Sequence, residues 1–205
     1  MFQDRIEAGY ALADKLKKYE NMNGVVLAVP KGGVPIGYVV AKELGLPLEI
    51  ILTKKIGHPT NKEYAIGAAS LWGSFVIPHE EVSQKYINHE IERIQTYLKE
   101  LQQKLVTGRE SENLENKILI VIDDGIATGN TLMATINILK KHKPAKIIIA
   151  APVSSKSAFE KISHYVDELV VLFIPQYFEG VGAYYENFED VNEDEALEYL
   201  NKIDA

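Results

Sequence analysis

Cysteine is absent from all 205 residues, which excludes disulfide staples and thiol catalysis. A surplus of positive charge is missing too. The chain carries 22 Lys and Arg against 29 Asp and Glu, a net charge of -7. Bulk electrostatics of that sign speaks against a nucleic-acid partner. No apolar run approaches membrane-spanning length, and residues 1–20 alternate charged and apolar residues without the apolar core of a signal peptide. The expectation is a cytoplasmic protein with no membrane partner. There is no Gly-x-Gly-x-x-Gly after a strand and no Gly-x-x-x-x-Gly-Lys-Ser/Thr loop, so a dinucleotide-dependent reductase or a P-loop nucleotidase lacks support. Internal repeats and low-complexity tracts are also lacking. What remains is an ordinary globular composition, 46% apolar and 25% charged, at a length suited to one full α/β domain.

The most informative stretch is Lys117 to Thr131, KILIVIDDGIATGNT. Ile118 to Ile122 is an unbroken aliphatic run, too short for a lone helix and suited to a parallel strand buried on both faces. It ends on two carboxylates, Asp123 and Asp124. A turn of small residues follows, Gly125-Ile126-Ala127-Thr128-Gly129-Asn130-Thr131, and then a helical pattern. In an open α/β sheet, ligands bind outside the carboxyl ends of the strands, where this turn would sit. Gly129 allows close backbone approach, while Thr128, Asn130 and Thr131 offer N–H and hydroxyl donors at a helix N-terminus, an anion site. The acid pair suits a diol or a Mg2+ ion. Phosphate beside a sugar diol is the ligand this layout describes.

The rest of the chain repeats the strand–turn–helix theme. Asp4 caps a first helix with Ile6, Leu12, Ala13 and Leu16 on its apolar side, ended by Asn23-Gly24. Val25–Val29 reads as a buried strand, broken by Pro30-Lys31-Gly32-Gly33 and followed by a helix from about Val34 to Leu44. Leu48–Thr53 reads as a third strand with Lys54-Lys55 leaving its carboxyl end, then a polar segment around His58, Glu63 and Tyr64. Residues 68–77 suggest two short strands around Gly73. Pro78 and Glu80-Glu81 open a long helix to about Val106, striped by Ile87, Ile91, Ile94, Leu98, Leu101 and Leu105 at coiled-coil spacing. That stripe could pack within the chain or against a second copy. A polar connector, Thr107–Asn116, leads back to the core. Helix Thr131–Lys141, strand Lys146–Pro152, helix Ser155–Ser163 and strand Val166–Ile174 follow, then an aromatic, glycine-rich tail and an acidic helix from about Asn192. The fold class is therefore α/β, a doubly wound parallel sheet with right-handed crossovers.

LIVIDDGIATGNT resembles the signature of the type I phosphoribosyltransferases: a hydrophobic strand, two acids, a short turn and Thr-Gly-x-Thr. The resemblance implies a single domain over residues 1–205 with a core of about 20–70 and 116–174. A smaller hood would combine about 72–115 with 175–205. It implies that Asp123 and Asp124 hold the ribose hydroxyls of phosphoribosyl pyrophosphate and, directly or through ribose or water, a Mg2+ ion. The loop Gly125-Ile126-Ala127-Thr128-Gly129-Asn130-Thr131 would hold the 5-phosphate. Lys31-Gly32-Gly33 resembles the pyrophosphate loop of the 6-oxopurine members. Lys54 and Lys55 match a basic pair that precedes a mobile loop, with Lys55 the stronger match, so Lys31 and Lys55 join the two acids as the residues carrying catalysis. In the tail, Phe178 followed by Val181-Gly182 and an acid is similar to the hood strand whose aromatic stacks on the acceptor base. Tyr177, Phe178, Tyr184 and Tyr185 would equally suit a hood core or a dimer surface, and a homodimer is what the family implies.

The sequence also departs from named enzymes. Where 6-oxopurine transferases carry a proton-relaying acid just before Thr-Gly, this chain has Ala127, which offers no group to take a proton. The blocks PKGGVPIG, TKKIG, DDGIATG and VGAYYENF resemble a bacterial branch of the family whose acceptor is unsettled. The expected activity is transfer of a phosphoribosyl group to a nitrogen of a nucleobase-like acceptor, with release of pyrophosphate. The alternative is a regulator that binds phosphoribosyl pyrophosphate without turning it over.

Overall fold

A computed structural model describes residues 1–62, 64–105 and 112–203. Glu63, the helix end at Val106 and the start of the connector, Thr107–Ser111, lie outside the described residues. The chain runs α1 (Arg5–Leu16), β1 (Gly24–Ala28), α2 (Gly33–Leu44), β2 (Leu48–Ile50), β3 (Thr53–Gly57), β4 (Ala65–Ser70), β5 (Gly73–Val76) and α3 (Gln84–Leu105). It continues through β6 (Ile118–Ile122), α4 (Asn130–Lys140), β7 (Lys146–Val153), α5 (Lys156–Ser163), β8 (Glu168–Phe173) and α6 (Glu193–Lys202).

Five strands form one parallel sheet in the order β2-β1-β6-β7-β8. Its strands obey the two-residue period of a sheet covered on both faces. Val26 and Ala28 of β1 join Ile118, Ile120 and Ile122 of β6 in one core with α1 and α2. Val25 and Leu27 join Leu119 and Val121 in the other, with Leu132, Ile136 and Leu139 of α4 and Ile162 of α5. The sheet is doubly wound. The chain leaves β1 toward β2 on one side and β6 toward β7 on the other, so the winding reverses between β1 and β6. Ligands of open α/β sheets collect outside the strand ends at such a reversal.

The sequence reading placed Leu48–Thr53 in one strand and Lys54-Lys55 at its end. The structure corrects this. The first sheet keeps only Leu48–Ile50, and Thr53–Gly57 opens a second, antiparallel sheet of order β3-β4-β5. In that sheet β3 pairs with β4, and β4 pairs with β5. The polar segment around His58 is the tip of the β3–β4 hairpin, where the His58 N–H donates to the Tyr64 carbonyl at 2.8 Å. The two strands around Gly73 form a hairpin, β4–β5.

Helix α3 begins at Gln84, so Glu80 and Glu81 precede it and no acid stands in its first turn. The described part of its stripe, Ile87 to Leu101, packs within the chain. Ile87, Ile94 and Leu98 are buried with Ile56 and Ile66 of the second sheet and Leu200 of α6, while Ile91 and Leu101 pack at the margin. Truncating the fully buried Ile94 is expected to cost about 2–5 kcal/mol, the range for such core deletions. Urea unfolding of Ile94→Ala at several protein concentrations checks this: an intramolecular stripe gives a concentration-independent loss, an intermolecular one does not.

Candidate active site

Two loops meet at the winding reversal. The Val29 N–H, just past β1, donates to the Ile122 carbonyl at the end of β6, 2.8 Å away. The Pro30–Lys31 peptide is cis. The turn then lies so close to β6 that a Cβ on Gly33 would stand 2.6 Å from the Ile122 carbonyl oxygen. A Cβ on Gly32 would stand 1.9 Å from Oδ2 of Asp124. Gly32 has an ordinary right-handed φ of -61°, so space and not backbone conformation demands glycine there.

The second loop is sewn to the end of β7. The Ile126 N–H donates to the Val153 carbonyl, and the Ser155 N–H donates to the Ile126 carbonyl, each at 2.9 Å. The Ser155 hydroxyl donates to the Ala127 carbonyl at 2.6 Å. Gly129 takes the left-handed conformation at φ +69° and is the residue before α4. A Cβ there would also strike Ile162 of α5 at 2.9 Å. Ala127, Thr128, Asn130 and Thr131 are exposed around a cavity of about 180 Å³ that Asp123 and Gly125 also line. The first N–H groups of a helix lack intrahelical acceptors, so α4 presents donors and the positive end of its dipole to this space. Lys161 donates to the Asn130 side-chain oxygen at 2.6 Å, adding a cation at the rim.

Asp123 and Asp124 stand between the loops. Oδ1 of Asp123 accepts the Asp124 N–H at 2.9 Å. Burial, then the neighbouring Asp124 charge, push the Asp123 carboxyl well above the usual carboxylate range. Burial also raises Asp124, against the pull of Arg5. Nothing in the sequence singled out that arginine. Its Nε and NH2 donate to Asp124 Oδ2 at 3.0 and 2.9 Å, and its NH1 donates to the Glu189 carbonyl at 2.7 Å. Its guanidinium lies 4.0 Å from the centre of the Phe188 ring. The hydroxyl of buried Tyr185 donates to the Asp124 carbonyl at 2.7 Å, and burial pushes that phenol far above its ordinary value.

The aromatic residues of the tail lie at different places around the site. Phe178 stacks on Tyr184, with centroids 5.8 Å apart. The ring that faces Lys31, Gly32 and Asp124 across a cavity of about 360 Å³ is Phe188. Tyr185 braces the acid pair from within the fold. A larger cavity of about 430 Å³ joins Lys31, Lys54, Tyr97, Thr131 and Glu193. Lys54 lies 4.2 Å over the Tyr97 ring of α3 and so faces this cavity. Lys55 follows it in β3. Thr53, which also lines the cavity, meets Thr135 of α4 through its hydroxyl at 3.2 Å. Of the two lysines, Lys54 lines this cavity.

The arrangement brings anion donors, two carboxylates and two lysines to one sheet edge. Among the described residues, no group of three or more His, Asp or Glu side chains could hold a metal ion. No described helix is long and apolar enough to cross a membrane.

Residues 4–185 match the family described as the phosphoribosyl transferase domain. The chain is 34% identical over 209 residues to a Mycobacterium tuberculosis protein named "Putative phosphoribosyl transferase". That match covers 98% of this chain and 47% of the relative, so the chain spans about half the relative's length. The backbone is similar to the crystal structure of TT1426 from Thermus thermophilus, with a TM-score of 0.88, 31% identity and 98% of each chain covered. A hypothetical protein from Neisseria gonorrhoeae with bound ppGpp shares the fold alone, at 13% identity and a TM-score of 0.53 over 97% and 92% of the two chains.

Proposed function

The chain belongs to the phosphoribosyl transferase domain family, and from that premise we propose that it transfers the 5-phosphoribosyl group of phosphoribosyl pyrophosphate to a nitrogen of a nucleobase-like acceptor, releasing pyrophosphate. The observation that carries this reading is the pairing of loops at the β1–β6 reversal. One is a glycine turn bearing Lys31, the other an acid pair running into a helix N-terminus. Few ligands need a phosphate cradle, a diol acceptor and a second anion site in that order along one sheet edge.

The chain's residues divide the work. N–H and hydroxyl groups of 127–131 bind the 5-phosphate and fix the ribose ring. Asp123 and the free oxygen of Asp124 accept the ribose hydroxyls. Lys31, the Gly32–Gly33 backbone and Lys54 face the pyrophosphate and stabilise the charge that grows on it as the C1–O bond loosens toward an oxocarbenium-like state. Positioning and charge supply the rate, and no covalent nucleophile is needed. Ala127 leaves the acceptor's proton to a group elsewhere in the site.

The donor set also fits Mg2+ brought by the substrate. Asp124 Oδ2 is already held by Arg5, so the protein offers too few open oxygens for a cage of its own, and the ion would take most of its ligands from phosphates and water. When bound, it would neutralise charge on the departing pyrophosphate. The second sheet, α3 and the C-terminal tail form the hood in this reading, and the active form is a homodimer.

The experiment is pyrophosphate release from phosphoribosyl pyrophosphate and Mg2+ with a panel of purine, pyrimidine and other nitrogen heterocycles, with calorimetric binding in parallel. The expected result is release with one acceptor, which identifies the hood's ligand as well. Tight binding without release from any acceptor would favour the non-catalytic regulator, and no binding would overturn the reading.

A further inference from the structure

Arg5 is a residue no motif announces, yet its side chain is only 10% exposed and all its interactions converge on the site. Three donor groups are used, two on Asp124 Oδ2 and one on the Glu189 carbonyl, and the Phe188 ring covers the guanidinium. The planar fork of arginine suits this; a lysine could not reach both partners. The backbone around it is tied as firmly. Asp4 caps α1 by accepting the N–H groups of Ile6 and Glu7. Phe2 donates to the Tyr184 carbonyl, while Glu186 and Asn187 donate to the Phe2 and Gln3 carbonyls at 2.8 to 2.9 Å. Further along α1, Gly9 lets the helix press against Val39 of α2, where a Cβ would come within 2.8 Å of the Val39 Cβ. The N-terminal helix and the C-terminal tail are therefore knitted together at one carboxylate.

The geometry points to Arg5 as a positioning residue for the sugar site: by holding Asp124 Oδ2 against Gly32, it turns the other carboxylate oxygen toward the ligand. This inference rests on the proposed sugar role of Asp124. An unclamped carboxylate on that short side chain could rotate about χ2 and spend its acceptor on solvent or on Lys31, which lines the same cavity. The cation also lets two adjacent acids coexist at the strand end with less repulsion. Arg5 itself touches no substrate atom in this scheme. Its effect passes through Asp124.

The test is calorimetric binding of Mg2+–phosphoribosyl pyrophosphate to the full chain and to R5A and R5K, with thermal unfolding of each. Loss of an outer partner of a liganding group costs about ten- to a hundredfold in affinity. The expected order is wild type, then R5K, then R5A. Millimolar guanidinium, but not potassium chloride of equal ionic strength, is expected to restore part of the R5A loss, because the ion fits the space under Phe188. A merely structural arginine would lower thermal stability without this rescue. Wild-type affinity in R5A or R5K, or a loss in both that tracks only the unfolded fraction and ignores guanidinium, would overturn the inference. If R5A does not fold, R5K decides alone: weakened binding by a folded protein supports the role and unchanged binding refutes it. No binding by the unsubstituted protein would instead sink the sugar assignment, and this inference with it.

Discussion

Gly32→Ala is expected to abolish measurable transfer, with turnover reduced at least about a hundredfold, the usual scale for displacing a reacting group by about 1 Å. The added methyl would sit 1.9 Å from Asp124 Oδ2 and 2.6 Å from its Cγ, far inside van der Waals contact. Flexible neighbours often yield to such a group; this one is held by two N–H donors of Arg5. Either the carboxylate leaves its clamp or the Lys31–Gly33 turn moves away from β6. Both displace groups assigned to the ligand. Overpacking of this kind typically costs about 1–3 kcal/mol, so the variant should still fold. Steady-state kinetics with the acceptor found by the panel, together with a thermal scan, measures both effects. Wild-type kinetics in a folded Gly32→Ala protein would mean that the close approach of the two loops plays no part in the reaction.

Asp123→Asn should separate stability from function. The carboxyl group's folded pKa lies well above the usual range, through burial first and the Asp124 charge second. A raised folded value binds the proton more tightly in the native state. Its stabilising contribution is therefore complete below the ordinary carboxylate pKa and is lost as pH rises through the folded value. At neutral pH the unliganded protein holds this acid at a cost. Asparagine keeps an oxygen to accept the Asp124 N–H and removes the charge. The variant should gain roughly 0.5–2 kcal/mol of unliganded stability, as is common when a strained site residue is neutralised. It should also lose phosphoribosyl pyrophosphate binding by well over about tenfold, since hydrogen bonds to charged groups are the strong ones. Glu90 and Glu168, lowered by Arg93 and by Lys18 and Tyr19 respectively, contribute with the opposite sign, losing stability as pH falls. Subtracting the variant's unfolding profile from the wild type's isolates Asp123. A less stable variant that binds normally would contradict both the burial argument and the sugar role.

The site was legible in part. Ile118–Ile122 was readable as a buried strand because an unbroken aliphatic run of that length suits a strand covered on both faces, and the acids and small residues after it are local chemistry. Asn192 before α6 and Ser155 before α5 were readable for the same reason. Lys54 and Lys55 were harder. Knowing that they lie in a strand, and which face of it meets Tyr97, requires the chain's departure from the first sheet after Ile50. Phe178 holds the motif position in the tail, whereas Phe188 reaches the acid pair because the tail folds back over Arg5. The stripe of α3 announced an apolar partner without saying whose.

The amino-acid sequence by itself determined the strand–turn–helix units, the two ligand loops and the membership of a family. These follow from burial periodicity, from glycine where backbones approach and from helix ends, all encoded within a few residues of one another. Only the tertiary structure decided what covers α3, which lysine faces the cavity, and that Arg5 reaches an aspartate 119 residues away to hold one of its oxygens. An ion pair of that span leaves no periodic trace, because its energy depends on burial and distance in three dimensions.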